Sequence, residues 1–397
     1  MIKAHKIRLH PTPDQANYFA RAAGTARFTF NWAVAEWQKQ YEAGGKPSAL
    51  ALRTQFNAIK KEQFPWVYEV TKCAVEGAFM DVAAAFNNFF EGLKAGRKTG
   101  YPNFKSKKRS RSSFYLANDK FTVGDHWIDV PKLGRVNMAE SLRFSGKILS
   151  ARISKTASWW FVSITVEMPD TVPLNTHPPV GVDVGLNRLA TLSDGRQFEN
   201  QRPLAHQLKK LRRLNKELAR RCIGGKNWLK TKAKLARAHY EIASLRLDWL
   251  HKLTTEIATT SGIVAVEDLH VKGLIRNRCL SRSFSDAAVG KLLDLLESKV
   301  VSQGGMLLQV DRFFPSSQLC HCCGARKEDL TLADRIFVCP NSDCGYSGDR
   351  DENAALNIIL EALRMFGLNV NMPSRVVATT RRKTAWGPGV RPKSLRG

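Results

Sequence analysis

Two kinds of residue in this sequence are set out as metal ligands would be: separated carboxylates that interrupt or close apolar runs, and paired cysteines. Asp183 stands inside Val180-Gly181-Val182-Asp183-Val184-Gly185, and Glu267 closes Gly262-Ile-Val-Ala-Val-Glu267. Asp351 opens Asp349-Arg-Asp351-Glu-Asn-Ala-Ala-Leu-Asn-Ile358. An acid in a buried strand is costly unless a cation satisfies it, and hard divalent cations take oxygen ligands. Carboxylates from two strands and a helix start can converge at one end of a sheet. Such a cluster can hold two divalent ions roughly 3.5–4 Å apart, one activating water and one stabilising the leaving oxygen of a phosphodiester. The same acids have plainer readings: Asp349 and Glu352 as helix caps, Asp268 as a surface acid beyond its strand.

Of the eight cysteines, Cys73, Cys222 and Cys279 are scattered, and the rest fall between Cys320 and Cys344. Cys320 and Cys323 are spaced C-x-x-C, Cys339 and Cys344 C-x4-C, and a glycine follows both Cys323 and Cys344. Four thiolates make a tetrahedral, closed zinc site that stabilises a small lobe and leaves no ligand position open for chemistry. Cys322 is then spare, and His321 reads as a solvent-facing neighbour that could substitute. Clustering of this kind points to a metal site in a reducing compartment rather than to a disulfide framework.

The elements that must carry these residues can be read in order. Residues 2–9 form a short strand, and from Pro13 the apolar residues recur at helical spacing to Trp37. Leu50–Lys61 and Val70–Leu93 give two more helices of a small helical domain. From Phe114 to Met168 the period changes to two, as in an antiparallel β-domain, barrel-like and paired with the N-terminal strand. Residues 169–179, with Pro173 and Pro178, are the best linker. Residues 203–258 read as a basic helical hairpin broken near Gly224-Gly225, followed by a strand to Glu267, a helix Asp286–Ser302 and a strand Met306–Val310.

Charge narrows the partners. With 62 Lys and Arg against 35 Asp and Glu, the net charge is +27, which favours a large polyanion. The cations come in blocks. One is Lys94–Ser112, which contains Arg97, Lys98, Lys105, Lys107 and Lys108, has no acid, and interleaves Tyr101 and Phe104. That block is either a solvated face or a groove that tracks a nucleic-acid backbone; the overall charge favours the groove. A second lines the hairpin, with Lys209 and Arg213 among its members. No run of about 18 apolar residues exists, so no membrane span is expected, and the N-terminus lacks the apolar core of a secretion signal.

Taken in order, Gly181-Val-Asp183-Val-Gly185, Val266-Glu267-Asp-Leu, Ser316-Ser-Gln-x-Cys320-x-x-Cys323-Gly and Asp349-Arg-Asp351-x-Asn353-Ala-Ala-x-Asn357-Ile resemble the TnpB family of insertion-sequence proteins. Those proteins are similar to the compact type V CRISPR effectors. The resemblance is dense over residues 178–366 and looser before. It implies a multidomain α+β fold: an RNase H-like (RuvC) α/β nuclease domain with a zinc-knuckle insertion, preceded by a β-barrel-like wedge domain holding an inserted helical recognition domain. On this chain the wedge takes 1–11 and 113–175 and the recognition domain 12–112. The nuclease takes 178–316 and 347–368, the zinc-bearing target nucleic-acid-binding insertion 317–346, and a basic, disordered tail 369–397.

The resemblance also implies an activity: Mg²⁺-dependent, RNA-guided cleavage of DNA beside a short adjacent motif. Two Mg²⁺ ions would sit on Asp183, Glu267 and Asp351, and zinc on Cys320, Cys323, Cys339 and Cys344. The guide RNA would come from the transposon end, and the protein would act as a monomer in the ribonucleoprotein, reading the adjacent motif and backbone shape while pairing reads sequence. The helix that helps read that motif departs from the family: Cys73-Ala-Val-Glu76-Gly77 replaces a frequent Leu-Gln pair, with Lys72 still a candidate contact. The alternatives are a compact type V CRISPR effector with the same chemistry and a guided repressor that binds without cutting. A tyrosine transposase lacks its His pair and Tyr here.

Overall fold

The computed structural model describes residues 1–169, 172–331 and 333–367, and its contacts divide the chain into two units, 1–170 and 171–397. The expectation for the tail lies outside the described residues. Among those residues no helix is long and apolar enough to cross a membrane.

In the first unit, β1 (Ile2–His10) buries Ile7 and Leu9 and turns Lys6 and Arg8 outward, as its alternation requires. Helix α1 (Pro13–Glu42) starts on a capping box between Thr12 and Gln15, with Pro13 in its first turn. Its long apolar stripe serves two cores. Phe19, Ala22 and Ala23 pack on the sheet, whereas Phe30, Ala33, Val34 and Trp37 pack against α2 (Ala49–Gln63) and α3 (Cys73–Lys94).

Six further strands follow: β2 (Ser113–Ala117), β3 (Thr122–Val123), β4 (Trp127–Val130), β5 (Gly134–Met138), β6 (Lys147–Thr156) and β7 (Trp159–Glu167). The N-terminal strand pairs as expected, lying antiparallel between β7 and β5. The order β2-β6-β7-β1-β5-β4-β3 has two ends, however, and strand pairing among the described residues leaves the sheet open rather than closing a barrel.

The second unit takes hold before its first strand. Asn175 donates its backbone N–H to the Gly304 carbonyl and its side-chain amide to the carbonyls of Ala258 and Ser261, so the expected linker is already anchored there. Strands β8 (Val180–Asp183), β9 (Arg188–Leu192) and β10 (Gln197–Glu199) form an antiparallel meander through the expected Ser193-Asp194-Gly195 turn. The basic hairpin is α4 (Pro203–Ala219) and α5 (Lys226–Thr260), broken at Gly224, whose φ is +87°. Then come β11 (Ile263–Glu267), short helices α6 (Val271–Arg276) and α7 (Ser281–Ala287), α8 (Val289–Ser302) and β12 (Met306–Val310). The single helix expected over 286–302 is two, because Ala288 adopts φ +52° and because Asp286 is held by the backbone of Leu204 and Ala205 and by Arg246. The hairpin β13 (Ile336–Val338) and β14 (Ser347–Asp349) leads directly into α9 (Arg350–Met365).

The sheet order is β10-β9-β8-β11-β12, with β11 parallel to both β8 and β12. Its two faces are unequal. Val180, Val182, Val264 and Val266 face Leu250, Leu253, Ile257, Leu292 and Leu296 of α5 and α8. The alternate positions on β8 and β11 are Gly181, Asp183, Ala265 and Glu267, and Ala265 packs with Ile358 and Ile359 of α9. Small residues are needed there: a Cβ on Gly181 would lie 2.0 Å from the Ala355 carbonyl oxygen and 3.0 Å from the Ile359 nitrogen.

Gly181→Ala is therefore expected to lower stability by at least about 2 kcal/mol in chemical denaturation, because backbone rather than a mobile side chain must yield. Gly290→Ala in α8, where the nearest atom is the Val271 Cγ1 at 3.4 Å, should be neutral or slightly stabilising.

Candidate active site and metal centre

The strand register brings the carboxylates together. Val264 pairs with Val180, Ala265 with Gly181 and Val266 with Val182, so continuing by one residue sets Glu267 beside Asp183 at the C-terminal ends of adjacent parallel strands. Both side chains leave on the α9 face. On α9 itself, Ala355 lies against Gly181, and Asp351 is one helical turn earlier. That turn matches the two strand residues from Gly181 to Asp183, and it carries Asp351 to the other two acids.

Their mutual field is visible in Asp183. Its carboxyl is pushed up to about 8, first by burial, then by the charges of Glu267 and Asp351, with Arg350 working in the opposite direction. Asp183 as a residue is half-buried, so the site is not sealed from solvent. Glu267 is raised by burial, against a hydrogen bond donated by the Ser316 hydroxyl to its Oε1. Two acids whose charges hold a third in its protonated form make, with it, a donor set suited to hard divalent cations.

The neighbouring acids take the plainer roles. Asp349 caps α9, accepting from the amides of Asp351 and Glu352, and pairs with Arg188 at 2.6 Å. Burial works to raise it, but Arg188 and those amides hold it below the usual range. Asp268 is a surface acid paired with Arg312. Arg350, absent from the sequence expectations, lies 3.4 Å from Asp351 and is largely buried. Its position directly before the acid was the available signal.

Sulfur ligands gather separately. The Sγ atoms of Cys320, Cys323, Cys339 and Cys344 all lie within 4.8 Å of one another, with Cys320 to Cys344 at 3.7 Å and Cys323 to Cys339 at 3.5 Å. Sulfurs about 2.3 Å from a shared zinc sit about 3.8 Å apart in a tetrahedron, so the four fit that ion. Gly324 and Gly345 take φ of +75° and +59° after the second cysteine of each pair, turning the knuckles. Cys322 stays outside the set. His321 is a correction: it is buried, not solvent-facing, because its backbone N–H and its ring Nδ1 both reach the Asn353 Oδ1.

The cationic residues occupy distinct places. Lys209 and Arg213 line a groove of ≈ 1240 Å³ along α4 with His206, Lys210 and Arg220. Lys72 borders a second crevice, ≈ 440 Å³, with Arg53, Lys60, Lys120 and Lys132 over Val67 and Val75. Arg97, Lys98, Lys107 and Lys108 are exposed. Lys105 is tied down: it pairs with Asp81 at 3.1 Å and sits 3.7 Å above the Phe30 ring, while Asn31 holds its backbone.

The raised Asp183 carboxyl fixes a pH dependence. Between its ordinary 3.8 and about 8, the unfolded chain has lost this proton and the folded chain keeps it. Without divalent cations, stability therefore falls as pH rises through that window and levels off above it. Metal-free Asp183→Asn should melt several degrees above metal-free wild type at pH 8 and close to it at pH 4, by scanning calorimetry; a lower melting point at pH 8 contradicts the strained carboxylate. At the knuckle, Cys320→Ser should lose most bound zinc by atomic emission and destabilise its lobe, whereas Cys322→Ser should keep the ion.

Comparison with known proteins follows the same division. A family profile described as "Probable transposase" matches residues 163–278, and one described as "Cas12f1-like, TNB domain" matches residues 290–358. A third, "Helix-turn-helix domain", covers residues 1–46, where this chain forms β1 and the single long helix α1. A Streptomyces pristinaespiralis protein named "Putative RNA-guided DNA endonuclease" is 32% identical over 91% of this chain and 89% of its own length. Escherichia coli K12 "Putative RNA-guided DNA endonuclease InsQ" is 30% identical over 90% of this chain and 92% of its own. The fold is also that of a chain in the cryo-EM structure of a Cas12f1-sgRNA-target DNA complex, with a TM-score of 0.56, 15% identity, and coverage of 87% of this chain and 83% of that one. With relatives matched almost end to end and both halves of the carboxylate site inside the matched regions, this chain belongs to the TnpB family of insertion-sequence proteins.

Proposed function

We propose that this protein is an RNA-guided DNA endonuclease of a transposable element, cutting target DNA beside a short adjacent motif. The observation that carries the reading is the carboxylate set: Glu267 lies beside Asp183 at the ends of adjacent parallel strands, and the charges of Glu267 and Asp351 strain that of Asp183. A guided protein that binds without cutting has no use for that strain, and none of the three acids is lost. The names of the full-length relatives support the same activity.

Asp183, Glu267 and Asp351 would hold two Mg²⁺ ions, which when bound supply an activated water and stabilise the leaving oxygen of the phosphodiester. The chain's own residues prepare that site. Arg188 and the α9 amides keep Asp349 occupied as a cap, so it does not compete as a ligand. Arg350 pairs with Asp351, and α9 presents its positive N-terminal end to the carboxylates. Zinc on the four cysteines would hold the 317–346 insertion in shape. The α4 groove with Lys209 and Arg213, the exposed Arg97, Lys98, Lys107 and Lys108, and the crevice at Lys72 would take guide and target backbones, delegating sequence to base pairing. The protein acts as a monomer within that ribonucleoprotein, in the cytoplasm.

Asp183→Ala is expected to abolish cleavage of a guide-matched plasmid while guide and target affinities stay within about threefold, since phosphate contacts dominate binding. Undiminished cutting by that variant removes the assignment. Sequencing the RNA that co-purifies with the protein should return a discrete transcript from the gene's own 3′ flank. A transcript from a repeat array would make it a CRISPR effector of the same chemistry.

A further inference from the structure

Ser316, Asn353 and Asn357 are buried polar residues that neither the carboxylates nor the sulfur cluster explains. They form one hydrogen-bonded bridge between those two centres. Asn353 and Asn357 stand one turn apart on α9, and both donate their amide N–H groups to the Leu319 carbonyl at 2.7 Å. Asn357 also donates to the Ser316 carbonyl at 2.8 Å, and the Asn353 Oδ1 accepts the backbone N–H of His321 at 3.1 Å. The segment clamped in this way contains Cys320, a member of the sulfur cluster, and begins with Ser316, whose hydroxyl donates to the Glu267 Oε1.

Burying three such side chains is unfavourable unless each is satisfied; here the segment satisfies the two asparagines and Glu267 satisfies the Ser316 hydroxyl. A carboxylate at a strand end has freedom about its χ angles; a donor on one oxygen removes it and leaves the other oxygen available to a cation. The donor is itself placed from two sides, by the clamp on α9 and by the cysteine four residues on.

We propose that Ser316 is a positioning residue that aims Glu267 as a Mg²⁺ ligand, and that the zinc knuckle sets Ser316 through Cys320 and the Asn353–Asn357 clamp. The knuckle thereby acts on divalent-cation binding at the carboxylate site as well as on the stability of its own lobe. This inference rests on the nuclease reading of the three acids.

The test is calorimetric titration of Mg²⁺ into the nucleic-acid-free full chain, with zinc content and thermal unfolding measured on the same samples. Ser316→Ala should weaken Mg²⁺ binding by about tenfold, the usual scale for an outer-shell partner, with zinc retained. Ser316→Thr, which keeps the hydroxyl, should restore most of the affinity. Should Ser316→Ala fold poorly, removal of zinc from wild-type protein by a chelator selective against Mg²⁺ gives a second arm, with a comparable weakening expected. Asp183→Ala is the control and should lose Mg²⁺ binding. Wild-type affinity in Ser316→Ala while Asp183→Ala has lost binding overturns the positioning role, and wild-type affinity after zinc removal overturns the link to the knuckle. Wild-type affinity in Asp183→Ala removes the metal-site reading itself, and this inference with it.

Discussion

The second unit depends on one backbone-to-backbone approach, α9 lying on β8 at Gly181. The Ala355 carbonyl occupies the volume a side chain would need, so the helix is set by main-chain contact rather than by a deformable side-chain layer. Because Ala355 and Asp351 are one turn apart and Gly181 and Asp183 two strand residues apart, that contact sets both the height of the helix and the meeting of the acids. Ala265 on the next strand continues the flat floor, with Ala362, Ile358 and Ile359 resting on it. The opposite face of the sheet, packed with branched and long apolar residues against α5 and α8, has no such constraint and supplies the bulk of hydrophobic burial.

Electrostatics sets the cost of this arrangement. An acid that prefers its proton up to pH about 8 is a folded-state liability at neutral pH, and Arg350 relieves it only in part. Arg188 is spent on the cap Asp349, and Arg350 approaches Asp351 at 3.4 Å, too far for a strong charge-assisted bond. In a chain with a net charge of +27, leaving the Asp183 carboxylate under-compensated is a local exception to the overall balance. Under the proposed function, this is the place where a cation from solution is the better partner.

Much of this was legible from residue types and order. The acid-bearing strands, the basic hairpin with its break at Gly224, the cysteine pairs with their following glycines, and Asp349 as a cap all follow from local rules of periodicity, turn chemistry and capping. What was not legible is long-range. The break at Ala288 depends on Asp286 capping a helix more than eighty residues earlier. His321 sits beside cysteines in a polar stretch, and the Asn353 amide and the Tyr346 ring, both distant in sequence, draw it inside. The seven-stranded sheet reads correctly as antiparallel strands, but whether its ends pair is decided by strand order, which alternation does not encode.

The same distinction applies to charge. A block such as Lys94–Ser112 counts eight cations in sequence, yet the fold does not leave them equivalent. Asp81 on α3 draws in Lys105 and also Arg152 of β6, and Arg111 is turned onto the hydroxyls of Ser154 and Thr156. These residues attach the basic segment to its support; Lys105 and Arg152 share the Asp81 charge, whereas Arg111 keeps its charge but has hydrogen bonds committed to neutral hydroxyls. Lys107, Lys108 and Arg109 lie between them, exposed, on a short turn closed by Ser106 and Ser110. Anchored cations at the two ends and exposed ones at the crest give a rigid presentation, which lowers the ordering cost of binding a phosphate backbone relative to a loose tail of equal charge. Net charge therefore sets the class of partner, while the internal ion pairs determine which cations meet it.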